Sequence, residues 1–347
     1  MPSRPIEREA AGVNDTVAIL LVNLGSPDAP TESAVRQYLR EFLWDPHIVK
    51  FPRMLWWLIL NGIILNVRTK KSAQRYASIW TEEGSPLQVH TEKQAKLLRG
   101  FLGHVGHALH VDYAMRYGNP SLPTVLNRLK GKGFLRIILL PLYPQYATST
   151  TASVFDAVKA WTGPGSQPPE IHTIRSYHDH PAYIKALAAS VRQHWAVHGR
   201  PENSYRLVMS FHGIPRYHVD RGDTYQGECL ATGRLLAQTL GLDETQYNLC
   251  FQSRFGFTKW LQPYTSTTLA ELGRQMVQRI DVLCPGFPTD CLESLEEIAI
   301  QGKSIFMQAG GKDFFYIPAL NEKEEWIKAL VSLVLEHYQK EPSTITG

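Results

Sequence analysis

A chain of 347 residues with 44% hydrophobic content can bury a large core and is long enough for two domains. Its formal net charge of +4 is spread over mixed Lys, Arg, Asp and Glu with no dense basic run, which excludes a nucleic-acid footprint but leaves a mildly basic surface suited to anionic lipid. Cys229, Cys250, Cys284 and Cys291 lack CxxC spacing, which argues for reduced thiols and against disulfides or a structural metal cluster.

The lead-in from Met1 to Asp15 is polar and has no apolar core, so it does not read as a signal peptide, and a cytoplasmic protein is expected. Val17 to Leu24 is the first buried-strand run; it ends in Asn23-Leu24-Gly25-Ser26-Pro27, without the G-x-G-x-x-G turn that lets a backbone approach a pyrophosphate. A helix follows over Glu32 to Phe42, started by Pro30-Thr31.

Met54 to Val67 is apolar but too short to span a bilayer as a helix, and it is bounded by Lys50 and Arg53 before and by Arg68, Lys70 and Lys71 after. That pattern fits shallow insertion at a lipid surface. It fits a buried helix or a dimer contact equally.

Ala108 to Ala114, Leu135 to Leu142 and Glu170 to Ile174 continue the strand series, with a Gly/Pro-rich loop at Gly163 to Pro169 and a linker near Ser176 to His180. His104, His107 and His110 have helical spacing but run into a predicted strand, so a solvated turn is expected rather than a metal site. A helix over Pro181 to Val197 leads to four more strands, Arg206 to Phe211, Tyr247 to Phe251, Ile280 to Cys284 and Ser304 to Ala309, and a helix over Glu322 to Tyr338 closes the chain.

Strands separated by helix-length segments predict parallel sheets. The strand exits also correspond: Leu24-Gly25-Ser26-Pro27 with His212-Gly213-Ile214-Pro215, Arg116-Tyr117-Gly118 with Arg254-Phe255-Gly256, and Pro141-Leu142-Tyr143-Pro144 with Cys284-Pro285-Gly286-Phe287. One four-stranded unit used twice accounts for this, although βα units also resemble each other by physics alone. Two such units facing each other would enclose a cleft at the carboxyl ends of their strands. No G-x-x-x-x-G-K-[ST] or G-x-S-x-G motif occurs, which argues against a nucleotide and against a hydrolase nucleophile.

His212 places a lone imidazole where a buried strand opens into a loop, and Asp290, Glu293 and Glu297 follow a later strand at helical spacing, so that they would share one helix face. An imidazole, with an ordinary pKa of about 6.5, and a carboxylate suit a site that handles protons and a divalent metal together. A histidine satisfied by backbone and a solvated acidic face at a helix N-terminus are the plainer alternatives.

Four motifs in this order and spacing resemble the ferrochelatase family, which inserts ferrous iron into protoporphyrin IX in the last step of haem biosynthesis. They are Leu21-Val22-Asn23-Leu24-Gly25-Ser26-Pro27; Tyr143-Pro144-Gln145-Tyr146 with Ser149-Thr150-Thr151; His212-Gly213-Ile214-Pro215 with Arg221-Gly222-Asp223; and Asp290-Cys291-Leu292-Glu293-Ser294-Leu295. The resemblance runs from Val17 to the closing helix. It implies the class II chelatase fold: two Rossmann-like α/β domains, each a four-stranded parallel sheet flanked by helices, at 16–176 (including the apolar lip, 50–71) and 177–313, with 314–347 packing back on the first.

By resemblance, His212 is the base that accepts a pyrrole proton, and Glu293 shares the cavity, binding iron and exchanging protons by turns. Asp290 and Glu297 form an outer acidic path. Arg68, Ser85 and Arg116 meet the propionates or line the pocket, Tyr117, Tyr143, Trp260 and Phe287 form its wall, and Leu24 lies over the open face of the ring. Cys291 stands where some relatives carry histidine, Gln301 replaces a carboxylate of the acidic path, and Thr148 replaces a cysteine of iron–sulfur members, so no such cluster is expected. The implied ligands are protoporphyrin IX and Fe2+, with no other cofactor, in a monomer or homodimer peripherally attached to the inner face of a membrane. The alternatives are a class II chelatase for coproporphyrin or sirohydrochlorin, and a noncatalytic haem or porphyrin carrier.

Overall fold

Val17–Asn23 (β1) is apolar up to its last residue and buried at every position, as expected of a parallel strand covered on both faces. In the computed structural model, which describes residues 16–163, 168–200, 205–254, 256 and 258–339, β1 lies inside a parallel sheet with His110–Met115 (β2), Arg136–Pro141 (β3) and Glu170–Thr173 (β4), in the order β2-β1-β3-β4. The second half repeats the plan. Tyr205–His212 (β5), Tyr247–Gln252 (β6), Arg279–Leu283 (β7) and Asp313–Tyr316 (β8) form a second parallel sheet in the order β6-β5-β7-β8. The lead-in, Phe255 and part of the Gly163–Pro169 loop lie outside the described residues.

The last strand is not where the sequence suggested. Ser304 to Ala309 lies in and at the end of a helix, Lys303–Gln308, and β8 begins only at Asp313. The run is short and apolar, so its period does not tell strand from buried helix. Tertiary packing decides it, because Phe306 is fully buried in the outer core of the second sheet, and the chain then turns at Gly310 so that Phe314 pairs with Ile280.

Alternation along β1 divides the interior. Val17, Ile19 and Leu21 enter a central core that also receives Leu207, Met209 and Phe211 of β5, whereas Ala18, Leu20 and Val22 face a separate outer core of the first sheet. The central core is filled by side chains from helices Pro86–His104, Pro181–His198, Tyr225–Leu240 and the closing helix Glu324–Tyr338. The closing helix packs on the first two of these and on β3, where Arg136 donates to the carbonyls of His337 and Tyr338.

In each sheet the chain moves to one side of the first strand and then to the other, which makes a switch point between β1 and β3 and another between β5 and β7. Ligands of open α/β sheets bind beyond the carboxyl ends at such points. The exits there are Leu24 and Tyr143 in the first sheet, His212 and Phe287 in the second. Gly25 makes the first exit possible: it has φ +105°, and a Cβ there would fall 1.8 Å from the carbonyl oxygen of Tyr117.

Candidate active site

His212 is the last residue of β5 and is half-buried. Its Nδ1 lies 2.6 Å from the Gly213 carbonyl oxygen. A carbonyl only accepts, so Nδ1 holds the proton and Nε2 keeps its lone pair free for a proton or a metal. Phe287, on the other side of the switch point, places its ring 6.3 Å from the imidazole, and Tyr225 fixes the backbone by donating to the His212 carbonyl at 2.9 Å. Trp260 joins this wall through a β-bridge with Pro215, its indole nitrogen buried without a protein partner.

Glu293 opens a π-helix, Glu293–Gly302, and its carboxylate is close enough to Tyr38 and Tyr76 to be felt at both phenols. Burial pushes these phenols well above their ordinary value and the Glu293 charge adds to the effect, so both remain neutral hydroxyls. Tyr38, Tyr76 and Tyr117 form one aromatic cluster with Leu24 and, from the second half, Leu292. The residue before Glu293 therefore packs on the same cluster as Leu24 at the exit of β1. The apolar wall of the first lobe and the acidic residue of the second meet at one place.

Arg116 and Tyr117 leave β2 into a buried network. Arg116 donates to Asp45 Oδ2 at 2.5 Å and to Ser153 Oγ at 2.8 Å, and the Tyr117 hydroxyl donates to the same Asp45 oxygen at 2.7 Å. Burial raises the Asp45 pKa, but the Ser153 and Tyr117 hydroxyls, the His47 amide and the Arg116 guanidinium outweigh it and hold the carboxyl below its usual range. Arg116 thus reaches the site already neutralised by Asp45.

Tyr143, at the exit of β3, buries its hydroxyl without a protein partner, and burial raises its pKa. Arg68 lies on helix Leu65–Ala77 with its pKa lowered, first by burial and then by Arg75 on the same helix. Ser85 is buried at the N-cap of helix Pro86–His104, its carbonyl accepting from Val89. It is placed as a helix-starting residue, with its side chain making no capping bond.

The lip is one helical stretch: Arg53–Ile59, a π-turn over Leu60–Ile64, and Leu65–Ala77. Trp56, Leu60 and Leu65 anchor it in a small core, while Met54 is 86% exposed, Leu58 59% and Val67 72%. A buried-helix reading of 54–67 therefore fails for its outer face. Among the described residues no helix is long and apolar enough to cross a membrane.

Over residues 16–338 the chain matches the profile of the family described as Ferrochelatase. It belongs to the ferrochelatase family. It is 57% identical over 322 residues to a protein of that name from Dechloromonas aromatica (strain RCB), a match covering 93% of this chain and 88% of the relative. Two solved structures share the two-sheet class II chelatase fold: SirB from Bacillus subtilis with Fe3+ (TM-score 0.51, 15% identity, 93% of this chain and 95% of that one) and CbiX, described as the terminal enzyme for siroheme biosynthesis in denitrifying bacteria (TM-score 0.51, 13% identity, 92% and 98%).

Within this ferrochelatase framework the three carboxylates have different partners. Asp290 precedes the helix and is saturated by Ser294 Oγ at 2.8 Å, Tyr316 Oη at 2.5 Å and Asn321 Nδ2 at 2.7 Å. Glu297 accepts from the amide and hydroxyl of Ser253, at 2.7 and 2.6 Å, and holds that residue at φ +65°. Glu293 alone turns toward the aromatic cluster. Asp290 lies before the helical stretch, so the expected i, i+3, i+7 helix face does not include it, whereas Glu293 and Glu297, four residues apart, stay about one turn apart. Among the described residues no three His, Cys, Asp or Glu side chains form a group able to hold a metal ion.

The sequence reading passed over the pairing of Arg75 with Glu296 across the lobes, with Arg75 Nε donating at 2.6 Å, and gave no sign that Gln301 donates to the other Glu296 oxygen at 2.6 Å. It also passed over Tyr38, Tyr76, Asp45 and Gln252. Only Gln252 carried a signal, as a polar residue ending an apolar strand. His104, His107 and His110 fall in a helix end, a loop and a strand and build no common site.

Proposed function

We propose that the chain inserts ferrous iron into protoporphyrin IX to form protohaem, releasing two pyrrole protons, the last step of haem biosynthesis. The observation that carries this reading is the His212 imidazole, with Nδ1 engaged by the Gly213 carbonyl and Nε2 left for the ring, at the switch point of the second sheet, together with a Glu293 carboxylate packed toward the aromatic exits of the first. A flat apolar ring needs such a wall, and its metallation needs a base on the ring side. His212 Nε2 takes one pyrrole proton. Glu293 receives the incoming iron or the second proton, since a carboxylate serves both in an incomplete coordination shell that releases the ion.

Leu24, Tyr117, Tyr143, Trp260 and Phe287 supply the wall, and the family resemblance assigns Arg68, Arg116 and Ser85 to the propionates or the pocket lining. Thr148 is engaged by Asp223 at 2.8 Å and His218 at 3.0 Å, and the reaction so described needs no iron–sulfur cluster and no nucleotide. Residues 16–176 and 177–313 act as the two lobes, with the closing helix Glu324–Tyr338 packed on helices of both. The exposed face of the lip, rimmed by Lys50, Arg53, Lys70 and Lys71, holds the protein on the inner face of a membrane, from which the poorly soluble ring enters. That apolar face favours protoporphyrin over the more acidic coproporphyrin and sirohydrochlorin.

An anaerobic assay with Fe(II) and each of the three rings tests the proposal. Loss of the free-base spectrum is expected fastest with protoporphyrin IX. Faster reaction of another ring would reassign the substrate, and binding without metallation of any ring would make the protein a carrier.

A further inference from the structure

One buried amide touches both halves of the chemistry without facing the cleft itself. Gln252 ends β6 and is 4% exposed. It is the register partner of His212, and its own carbonyl accepts from the Gly213 amide at 2.8 Å. Its side-chain nitrogen donates to the backbone carbonyl of Glu293 at 2.8 Å. Its side-chain oxygen accepts from Ser210 Oγ at 2.6 Å, two residues before His212, and from the Cys284 thiol at 3.6 Å, three residues before Phe287. The Glu293 carbonyl can only accept, so the amide has one orientation. Gly213 shows how tight this junction is: a Cβ there would lie 2.8 Å from the Gln252 carbonyl oxygen and 3.2 Å from the Trp260 ring.

We propose that Gln252 is a positioning residue that sets the separation of His212 and Glu293, because its backbone is paired with His212 in the sheet while its side-chain amide donates to the Glu293 carbonyl. The proposal rests on the function proposed above. Glu293 begins its helix with no side-chain cap, so the bond from Gln252 to its carbonyl is a fixed reference for the direction in which its carboxylate leaves the helix. A base and a metal-accepting carboxylate work on one ring only if both are held to within a fraction of an ångström, and a misplacement of about 1 Å is enough for a loss of about 10²-fold.

The test compares Gln252→Met, which keeps the volume and removes both polar ends, with Ser210→Ala, which removes the anchor of the amide oxygen and leaves the donor to Glu293. Each full-length variant is assayed for protoporphyrin binding by fluorescence quenching, for kcat and KM with Fe(II), and for its thermal midpoint. Gln252→Met is expected to lower kcat by about 10- to 100-fold with porphyrin affinity within about twofold of the parent. Ser210→Ala is expected to lose comparable thermal stability with kcat nearly retained. If Gln252→Met does not fold, Gln252→Asn replaces it, because that change keeps a neutral amide and shortens its reach to the Glu293 carbonyl. A folded variant with parental kcat, or an equal loss of kcat in Ser210→Ala, overturns the proposal. Failure of the parent protein to metallate any ring overturns the function instead, and is read in the same experiment.

Discussion

At the scale of the residue, the arrangement around His212 separates two readings that a sequence leaves together. The backbone does satisfy this histidine, but only at Nδ1, and that bond is what leaves Nε2 as the basic nitrogen. His212→Ala is therefore expected to reduce metallation by about 10²- to 10⁴-fold, the usual contribution of general base catalysis, while porphyrin still binds through the aromatic wall. Stopped-flow metallation alongside fluorescence quenching measures both, and weakened porphyrin binding with surviving turnover would remove the proposed base.

Asp281 carries a different charge effect, away from the cleft. Fully buried in β7, it is pushed up by burial, yet His194 and Arg279 hydrogen bonds hold its carboxyl below the usual value. A depressed folded pKa contributes stability that is present above the unfolded value of about 3.9 and is lost as pH falls through the folded one. Thermal midpoints are expected to fall below about pH 4, and Asp281→Asn is expected to be less stable at neutral pH with a flatter acid limb. An unchanged acid limb in the variant would assign the loss to other carboxyls.

At the scale of the element, the lip shows how one helix serves two solvents. Trp56, Leu60 and Leu65 fix its inner face, so outer residues such as Trp57 and Leu58 can change without loss of the fold. Trp57→Glu with Leu58→Glu is expected to abolish flotation with anionic vesicles while turnover of detergent-dispersed porphyrin stays near the parent, since each large apolar side chain contributes about 1.5–3 kcal/mol when buried. Unchanged flotation would move the lipid contact elsewhere. The π-helix makes the opposite case. Its sequence reads as an ordinary acidic helix start, but in the fold Asp290 bonds Tyr316, Glu296 pairs with Arg75 of the lip helix and Glu297 holds Ser253, so three carboxylates become ties between elements and one is left for chemistry.

At the scale of the molecule, the two sheets are joined by a central core and by the closing helix rather than by a flexible hinge. Trp326 is fully buried, with rings of Tyr183 at 5.8 Å and Tyr177 at 6.0 Å. Trp326→Ala is expected to cost about 3–5 kcal/mol and to unfold both lobes in one transition, measurable by denaturant titration. Two separate transitions would mean that the lobes are independent.

What the amino-acid order determined by itself was everything that local chemistry signals strongly: seven of the eight strands, the doubled unit, the exits at His212 and Tyr143, and a lip too short to span a bilayer. Those features depend on apolar runs, turn residues and their spacing, which are readable along one dimension. The eighth strand was misplaced because Ser304 to Ala309 and Asp313 to Tyr316 are both short and apolar, and only the packing of Phe306 and the pairing of Phe314 with Ile280 distinguish them. The partners of Asp290, Glu296, Glu297 and Gln252 were equally out of reach. A hydrogen bond between residues distant in sequence exists only once the sheets stack, and composition carries no mark of where a helix widens to the π form.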